Sequence, residues 1–330
     1  MVEEVVRWLG LGGPGDKETG RPGDREAHRE MGGSRRGGMV IMDCTMGRGG
    51  HAVRVARALA EAGGGMLIGL DVDPENLKYA RRRVEEEMAQ QPSGEGKGTV
   101  ELRVFHANFG EAADVLAAVG LGEGAALDGL LADFGVSTNQ LLDAKHGLSF
   151  SADVPLDMRL DPRIRKKASD LVGEMGEKEL AGILQDYAQE RYAWRIARKI
   201  VQTRAAEPIV TTGQLARLVR SVVPGKWGQI DPATRTFQAL RMAVNSELEA
   251  IDELLAAVPG MMKPGGRGVF LSFHSGEDRL VKRALRGWEE RGMARALTKK
   301  PEEPGESEMH RNPRSRSAKL RAVIFQHPGN

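Results

Sequence analysis

The sequence predicts an α/β protein in which a parallel sheet with helices on both faces is interrupted by a mostly helical insert. Four short apolar runs alternate with helix-like segments between residues 39 and 133. A glycine-rich turn follows the first run in MVIMDCTMGRGGHA (39–52), as in β-turn-α units that bind nucleotides. The alternation stops after Gly135, and a helical period then dominates until the apolar run Met262–Phe273.

The first half of the chain predicts four strands and three helices in alternation. The strands are expected at 39–43, 66–71, 100–106 and 127–133, and the helices at 51–62, 76–88 and 111–119. Right-handed crossovers place the carboxyl ends of these strands at one edge of the sheet, where ligands bind. Residues 11–38 and 90–98 are rich in Gly and charge without an apolar period, which predicts two flexible insertions.

The second half predicts helices first and strands afterwards. Helices are expected at 177–187, 191–204 and 212–222, one long helix at 235–257, and strands at 262–273 and 320–326. We therefore expect a core formed by residues 1–140 and 237–330, and a helical substrate-recognition insert formed by residues 141–236.

The composition is that of an ordinary globular protein, and it excludes several classes. The chain has 330 residues, of which 40% are hydrophobic and 28% are charged. The chain contains no run of 18 apolar residues, so we expect no membrane span. The start MVEEVVRWLG does not resemble a signal sequence. The single cysteine, Cys44, excludes a disulfide framework, and the scattered histidines predict no metal site.

Acidic residues at the predicted ligand edge indicate the class of cofactor. Asp43 opens the glycine turn, Asp71 and Asp73 end the second strand, and Asp133 ends the fourth. The turn matches a dinucleotide fingerprint with Asp71 at the ribose spacing, but carboxylates disfavour a pyrophosphate. S-adenosylmethionine, which is cationic and has no phosphate, suits them better, with Asp71 on its ribose. A nicotinamide-dependent oxidoreductase stays the alternative, and each acid alone is equally well explained as a helix cap.

A set of motifs resembles, block by block, one known family. The segments are DCTMGRGGHA, GLDVDPENL, HANFGE, LDGLLADFGVSTNQLLDAKHGLSF, PLDMRLDP, YAQERYAWRIARKIV, ATRTFQALRMAVNSELEAID, SFHSGEDRLVKR and NPRSRSAKLR. They are similar to the cytosine-N4 16S rRNA methyltransferases, the MraW or ribosomal small-subunit methyltransferase H family. The resemblance implies a Rossmann-like, class I S-adenosylmethionine-dependent methyltransferase core that methylates N4 of a cytidine near the decoding centre.

The resemblance also implies cofactor contacts, partners and a location. The implied cofactor contacts are Gly49, Gly50, His51, Asp71, Phe109 (near the adenine), Asp133 and Gln140. The implied partner is small-subunit rRNA or a 30S-type particle, with a homodimer left open and a non-catalytic assembly factor as a further alternative. The location would be cytoplasmic, or plastid or mitochondrial if the chain lacks a transit peptide.

Two departures from the family pattern affect these expectations. Cys44 replaces the glycine of the usual Asp-Gly-Thr, which would strain the turn by about 1–2 kcal/mol if that position needs a positive φ. The family's His-x-Pro-Val start is absent before VEEVV, so the sequence is expected to begin downstream of the native start.

Three residues are candidates for catalysis. Transfer to N4 needs a group that accepts the N4 proton, and a carboxylate suits this task. Asp133 is the first candidate, and Asp157 in PLDMR is the second, although a turn contact with Arg159 explains Asp157 equally well. His274, after the fifth core strand, would orient the base or contact a phosphate, with a structural hydrogen bond as an equal alternative.

Basic and aromatic residues are candidates for RNA contacts. The basic set is Arg159, Arg163, Arg165, Lys166, Lys167, Arg235, Arg241, Arg314 and Arg316. The aromatic residues Tyr187, Tyr192, Trp194 and Trp227 are possible stacking surfaces for a cytidine taken out of its helix, although aromatic residues more often belong to a core.

Overall fold

The computed structural model describes residues 1–11, 38–90, 98–122, 124–225 and 231–326. The two predicted flexible insertions lie almost entirely outside the described residues, and Trp227 lies wholly outside them. The chain forms two compact units, which we describe separately. The sheet unit comprises Met1–Gly135 and Glu249–Asn330, and the helical unit comprises Val136–Leu248. The predicted insert, residues 141–236, lies within the helical unit.

Within its described residues, the sheet unit contains seven strands. They are β1 (Met39–Asp43), β2 (Gly65–Asp71), β3 (Val100–His106), β4 (Leu127–Asp133), β5 (Met262–Ser272), β6 (Ala294–Ala296) and β7 (Lys319–Phe325). Their order across the sheet is β3-β2-β1-β4-β5-β7-β6. The first five strands pair in parallel, whereas β7 is antiparallel to both β5 and β6.

This strand order confirms the predicted fold class. A dinucleotide-binding sheet has the order 3-2-1-4-5-6 with parallel strands. Here β1 to β5 keep that order in parallel, and an antiparallel β7 stands between β5 and β6. The carboxyl ends of β1, β2 and β4 therefore meet at the sheet edge where the sequence predicts the cofactor.

Helices flank this sheet and form the helical unit. In the described residues the α-helices are α1 (Val2–Trp8), α2 (Gly50–Glu61), α3 (Pro74–Gln90), α4 (Ala112–Ala118), α5 (Thr138–Leu142), α6 (Ala168–Glu174), α7 (Glu177–Ala188), α8 (Ala193–Arg204), α9 (Thr212–Val222), α10 (Thr234–Val244), α11 (Glu247–Met261), α12 (Ser275–Glu290) and α13 (Glu306–Arg311). None of these helices is long and apolar enough to cross a bilayer.

Each unit has its own hydrophobic core. In the sheet unit, apolar residues of the central strands, including Ile41, Leu67 and Leu131, pack with Val5 of α1 and with Leu9, which caps the end of that helix. In the helical unit the core comes from the buried stripes of its longer helices. These stripes follow the helical period of the sequence, which is why α7, α8 and α9 lie within two residues of their predicted positions.

The prediction of one long helix over residues 235–257 is wrong. The structure has two helices, α10 and α11, separated at Asn245 and Ser246. The Asn245 side chain donates to the Met158 carbonyl and accepts from the Leu160 amide, both at 2.8 Å, and Ser246 has a φ of 47°. An asparagine that bonds to backbone groups and a residue in the left-handed region end the helix there.

Candidate cofactor site

The glycine turn between β1 and α2 leaves backbone open to a ligand. Gly47 and Gly49 have φ values of 52° and 75°, and a Cβ on Gly49 would lie 3.2 Å from the Cα of Ala80. Gly49 is the N-cap of α2, and its positive φ and its close approach to Ala80 favour a residue without a side chain. Gly50 is exposed, and a Cβ there would meet no atom within 4 Å. Close packing therefore constrains Gly49, whereas Gly50 faces open space.

Asp71, at the end of β2, holds the turn in place. One of its carboxylate oxygens accepts a hydrogen bond from the Gly47 amide at 2.7 Å, and the other accepts from the Asp73 amide at 2.8 Å. Each oxygen has a second lone pair, so these bonds are compatible with the predicted ribose contact. The acid predicted to bind the cofactor also orders the loop around it.

Asp43 and Asp133 lie together at the ends of β1 and β4. The Thr45 amide donates to Asp43 at 3.1 Å, and the Thr45 hydroxyl accepts from the Asp133 amide at 2.7 Å. His51 Nδ1 lies 3.5 Å from an Asp133 oxygen. Oδ2 of Asp43 and Oδ1 of Asp133 are buried and have no hydrogen-bond partner among the described residues. These two oxygens are available to a ligand.

The carboxylates of this site have raised pKa values. Burial raises the pKa of Asp43 and of Asp71 to about 6 each, and the pKa of Asp133 to about 7. The neighbouring acids add to the effect on Asp43, and Glu277 adds to the effect on Asp133. Burial also lowers the pKa of His51, which leaves it neutral at pH 7. A ligand cation would therefore be stabilised here, and these acceptor oxygens fit the sulfonium, amino and hydroxyl groups of S-adenosylmethionine.

Phe109 and Gln140 occupy different units. Phe109 follows β3 in a short 3₁₀ helix that Asn108 caps, and its ring meets Phe134 edge-on at 5.5 Å between centroids. Gln140 lies in the helical unit, where it forms a capping box with Ser137 at the start of α5. The predicted adenine contact of Phe109 and the predicted cofactor contact of Gln140 stay predictions.

Asp157 and His274, the other catalytic candidates, both make local structural contacts. Asp157 accepts two hydrogen bonds from the Arg159 guanidinium, at 2.7 and 2.9 Å, and one from the Arg159 amide at 3.2 Å. Although burial opposes it, this pairing lowers the pKa of Asp157 and makes the carboxylate a weak base. His274 caps α12, because its Nδ1 accepts from the Gly276 and Glu277 amides at 3.1 and 3.3 Å. The structure therefore contains the turn contact of Asp157 and the structural hydrogen bonds of His274 that the sequence offered as alternatives. Catalytic roles for these two residues stay predictions.

Many of the basic residues predicted to contact RNA have acidic neighbours. Arg163 binds Asp161 at 2.7 Å, and Lys166 binds Glu174 at 2.7 Å. The remaining close pairs are Arg159 and Lys167 with Asp157, and Arg241 with Glu247. The Arg235 guanidinium donates to the Gln189 carbonyl at 3.5 Å, and Arg165, Arg314 and Arg316 are exposed. Their contacts with RNA stay predictions.

Sequence reasoning missed two residues that shape this site. Glu277 is 2% exposed and accepts from the Phe273 and His274 amides at 2.7 and 3.2 Å. Thr45 links Asp43 to Asp133, as described above. The capping pattern of SFHSGED was a usable signal for Glu277, since an acid three residues after a helix cap bonds back to it.

The structure does not show the strain considered for Cys44. Among the described residues other than glycine, the left-handed region contains Met158, Gln189 and Ser246. Cys44 is not among them, and its amide donates to the Leu131 carbonyl at 2.8 Å. The cysteine therefore fits the turn without a backbone penalty.

Comparisons with known proteins identify the family. The model of the MraW methylase family matches residues 27–326. This chain belongs to the MraW methylase family. It is 46% identical over 290 residues to a protein of Acidobacterium capsulatum named ribosomal RNA small subunit methyltransferase H, covering 88% of this chain and 92% of that protein. A protein of the same name from Koribacter versatilis is 45% identical over 293 residues, covering 88% of each chain.

Membership of the MraW methylase family makes the chain a methyltransferase and confirms the resemblance found in the sequence. Among solved structures, an rRNA methylase from Streptococcus thermophilus is 9% identical and has a TM-score of 0.37, covering 88% of this chain and 87% of that chain. This structural similarity is too low to support the fold assignment, which rests on the strand order of the sheet.

Proposed function

We propose that this MraW-family chain uses S-adenosylmethionine to methylate the exocyclic N4 of a cytidine in small-subunit rRNA, near the decoding centre. The observation that carries the proposal is the group of acids at the ends of three neighbouring strands, where Asp43 is buried and Asp71 and Asp133 are half-buried. The names of the relatives, ribosomal RNA small subunit methyltransferase H, support the rRNA substrate. The choice of N4 and of the decoding centre rests on the motif resemblance.

The acids would hold the cofactor through its cationic and hydroxyl groups. Asp71 accepts from the glycine turn and retains lone pairs for a ribose diol. Asp43, beneath the turn, has a buried oxygen without a partner among the described residues. A nicotinamide dinucleotide would instead bring its pyrophosphate toward these carboxylates, which is unfavourable.

When bound, S-adenosylmethionine supplies a methyl group on a positively charged sulfur. Transfer to N4 would form a carbon–nitrogen bond while the carbon–sulfur bond breaks with its electron pair going to sulfur, and N4 would give up one proton. The N4 lone pair is delocalised into the cytosine ring, so positioning the two partners contributes much of the acceleration. The proton must go to a group on the protein or to water.

Asp133 is the best placed of the three catalytic candidates to accept that proton. Its Oδ1 is buried without a hydrogen-bond partner among the described residues, and its pKa is raised to about 7, close to the working pH. The pKa of Asp157 is instead lowered by its hydrogen bonds from Arg159, and His274 uses Nδ1 to cap α12. Geometry and basicity both favour Asp133.

The test maps methylated cytidines in small-subunit rRNA. Cells that lack the endogenous activity would be supplied with wild-type protein, with Asp133→Asn, or with Asp114→Asn as a control. Asp114 is exposed on α4, so its change leaves the site intact. We expect one N4-methylcytidine with wild type and control, and a loss of about 100-fold or more in transfer rate with Asp133→Asn. Methylation of another atom, or binding of small subunits without transfer, would overturn the proposal.

A further inference from the structure

One side of α8 in the helical unit carries an exposed tryptophan among basic side chains. Trp194 is 52% exposed, which is unusual for so large an apolar group. We name the α8 face by its residues Trp194, Arg195, Arg198, Lys199 and Gln202. The opposite side of the helix consists of buried residues: Ala193, Ile196, Ala197 and Ile200. The core therefore uses one side of α8 and leaves the α8 face to solvent.

The α8 face lines a groove of about 290 Å³, together with Val222 at the end of α9. This volume is near the lower end of the range for small-ligand pockets, about 300–1,000 Å³. The groove has an indole on its wall and cations around it. A flat, uncharged ring attached to an anionic chain is complementary to both.

The cations of the α8 face are less neutralised than the basic residues near PLDMR. Arg198 contacts Glu177 at 3.2 Å, with its side chain 64% exposed. Within the described parts of the chain, no carboxylate lies within 4 Å of Arg195 or Lys199. The Arg195 guanidinium lies 5.5 Å from the Tyr192 ring centroid, which orients it without neutralising it.

We propose that the α8 face binds an unpaired stretch of RNA. A base stacks on the Trp194 indole, while Arg195, Arg198 and Lys199 contact the phosphates on either side. Stacking on an aromatic ring needs a base that is free of its helix, whereas arginine and lysine recognise any phosphate. This inference rests on the proposed function, in that the substrate is RNA, and it adds a docking surface made of residues other than those proposed for methyl transfer.

Trp194 variants measure the stacking contribution on an oligoribonucleotide of twelve cytidines. The dissociation constant would be determined for wild type, Trp194→Phe, Trp194→Leu and Trp194→Ala. We expect Trp194→Phe to bind within about three-fold of wild type, and Trp194→Leu and Trp194→Ala to bind roughly ten-fold or more weakly. Val210→Ala is the matched control, because Val210 is also 52% exposed in the same unit. Equal binding by all variants would overturn the proposal.

Charge variants measure the phosphate contacts through salt dependence. Arg195→Ala and Lys199→Ala should each lower the slope of log K against log salt by about 0.7 for single-stranded RNA. Arg286→Ala is the control, since Arg286 is 79% exposed in the sheet unit and pairs with Glu290. Unchanged slopes in Arg195→Ala and Lys199→Ala would contradict the phosphate contacts.

Two further measurements separate this inference from the proposed function. S-adenosylmethionine affinity and the maximal transfer rate at saturating small subunits should be unchanged in Trp194→Ala, while KM for the subunits rises. Normal RNA stacking without transfer by wild type would overturn only the proposed function. The inference fails if Trp194→Leu binds the oligoribonucleotide as tightly as wild type does. It also fails if Trp194→Ala alters self-association instead of RNA binding, because the α8 face would then be a protein contact.

Discussion

Replacing Asp133 by Asn should stabilise the protein without its cofactor while impairing transfer. The ordinary pKa of an aspartate is 3.8, and burial raises the pKa of Asp133 to about 7. The folded protein therefore keeps the Asp133 carboxyl protonated over a pH range in which the unfolded chain has already lost that proton. As pH rises from about 4 to about 7, the ionisation of Asp133 costs folding free energy, and above pH 7 the full cost is present.

The size of this cost follows from the two pKa values. Their difference corresponds to about 4 kcal/mol at most, and because 25% of the side chain is exposed we expect about 2 kcal/mol. Asparagine has nearly the same shape and carries no charge. It gives up the 3.5 Å contact with His51, which is worth little because the pKa of that histidine is lowered by burial.

The assay is urea unfolding of wild type and Asp133→Asn at several pH values between 4 and 8. We expect equal stability near pH 4 and an advantage for Asp133→Asn that grows to about 2 kcal/mol by pH 8. Contributions from distant titrating groups cancel in the difference between the two proteins, whereas loss of the repulsion between Asp133 and Asp43 adds to the advantage of Asp133→Asn. Parallel curves over the whole range would show that Asp133 ionises as freely as in the unfolded chain, and would refute the reasoning.

Three further predictions concern the same site. Gly49→Ala should lower the free energy of unfolding by about 1–2 kcal/mol, since φ is 75° there. Gly50→Ala should leave thermal unfolding unchanged and weaken the binding of S-adenosylmethionine measured by calorimetry. Unaltered affinity in Gly50→Ala would remove Gly50 from the cofactor contacts. S-adenosylmethionine should bind more tightly as pH rises from 5 to 8, and its binding should release protons near pH 6, because Asp43, with a pKa of about 6, must ionise to face a cation. Calorimetry in buffers of different ionisation enthalpy would detect this release. Binding without proton release would contradict the prediction. Glu277→Gln keeps the cap oxygen but removes a charge that helps to raise the pKa of Asp133, so the acidic limb of the kcat/KM profile should move to lower pH; an unmoved limb would contradict that link.

Much of the sheet unit was predictable because its signals are local. The buried parallel strands are apolar runs with clear ends, and β4 spans the predicted residues 127–133. The left-handed turn residues are glycines, and Asp71 stands at the expected spacing. By contrast, β6 has only three residues and was missed, because so short a strand has no pattern of its own.

The break between α10 and α11 could not be predicted because its cause is distant in sequence. The apolar period of residues 235–257 continues through Asn245 and favours one helix. What ends the helix is the bonding of Asn245 to the backbone of Met158 and Leu160, more than 80 residues earlier. Met158 has a φ of 66° and is fully buried, so Asn245 holds a loop that local preference would not form.

The sequence shows where the basic residues are, but it does not show which of them already pair with an acid. The sequence contains several arginines and lysines near PLDMR, and each was an equally good candidate for a phosphate contact. In the structure, Arg159 and Arg163 each bind an aspartate two residues earlier, so a phosphate would have to displace an existing carboxylate. Arg195 is exposed and Lys199 is half-buried, and neither has a carboxylate within 4 Å in the described chain, so a phosphate would not have to displace one. The affinity of this enzyme for RNA should therefore depend more on α8 than on the larger number of basic residues around Asp157.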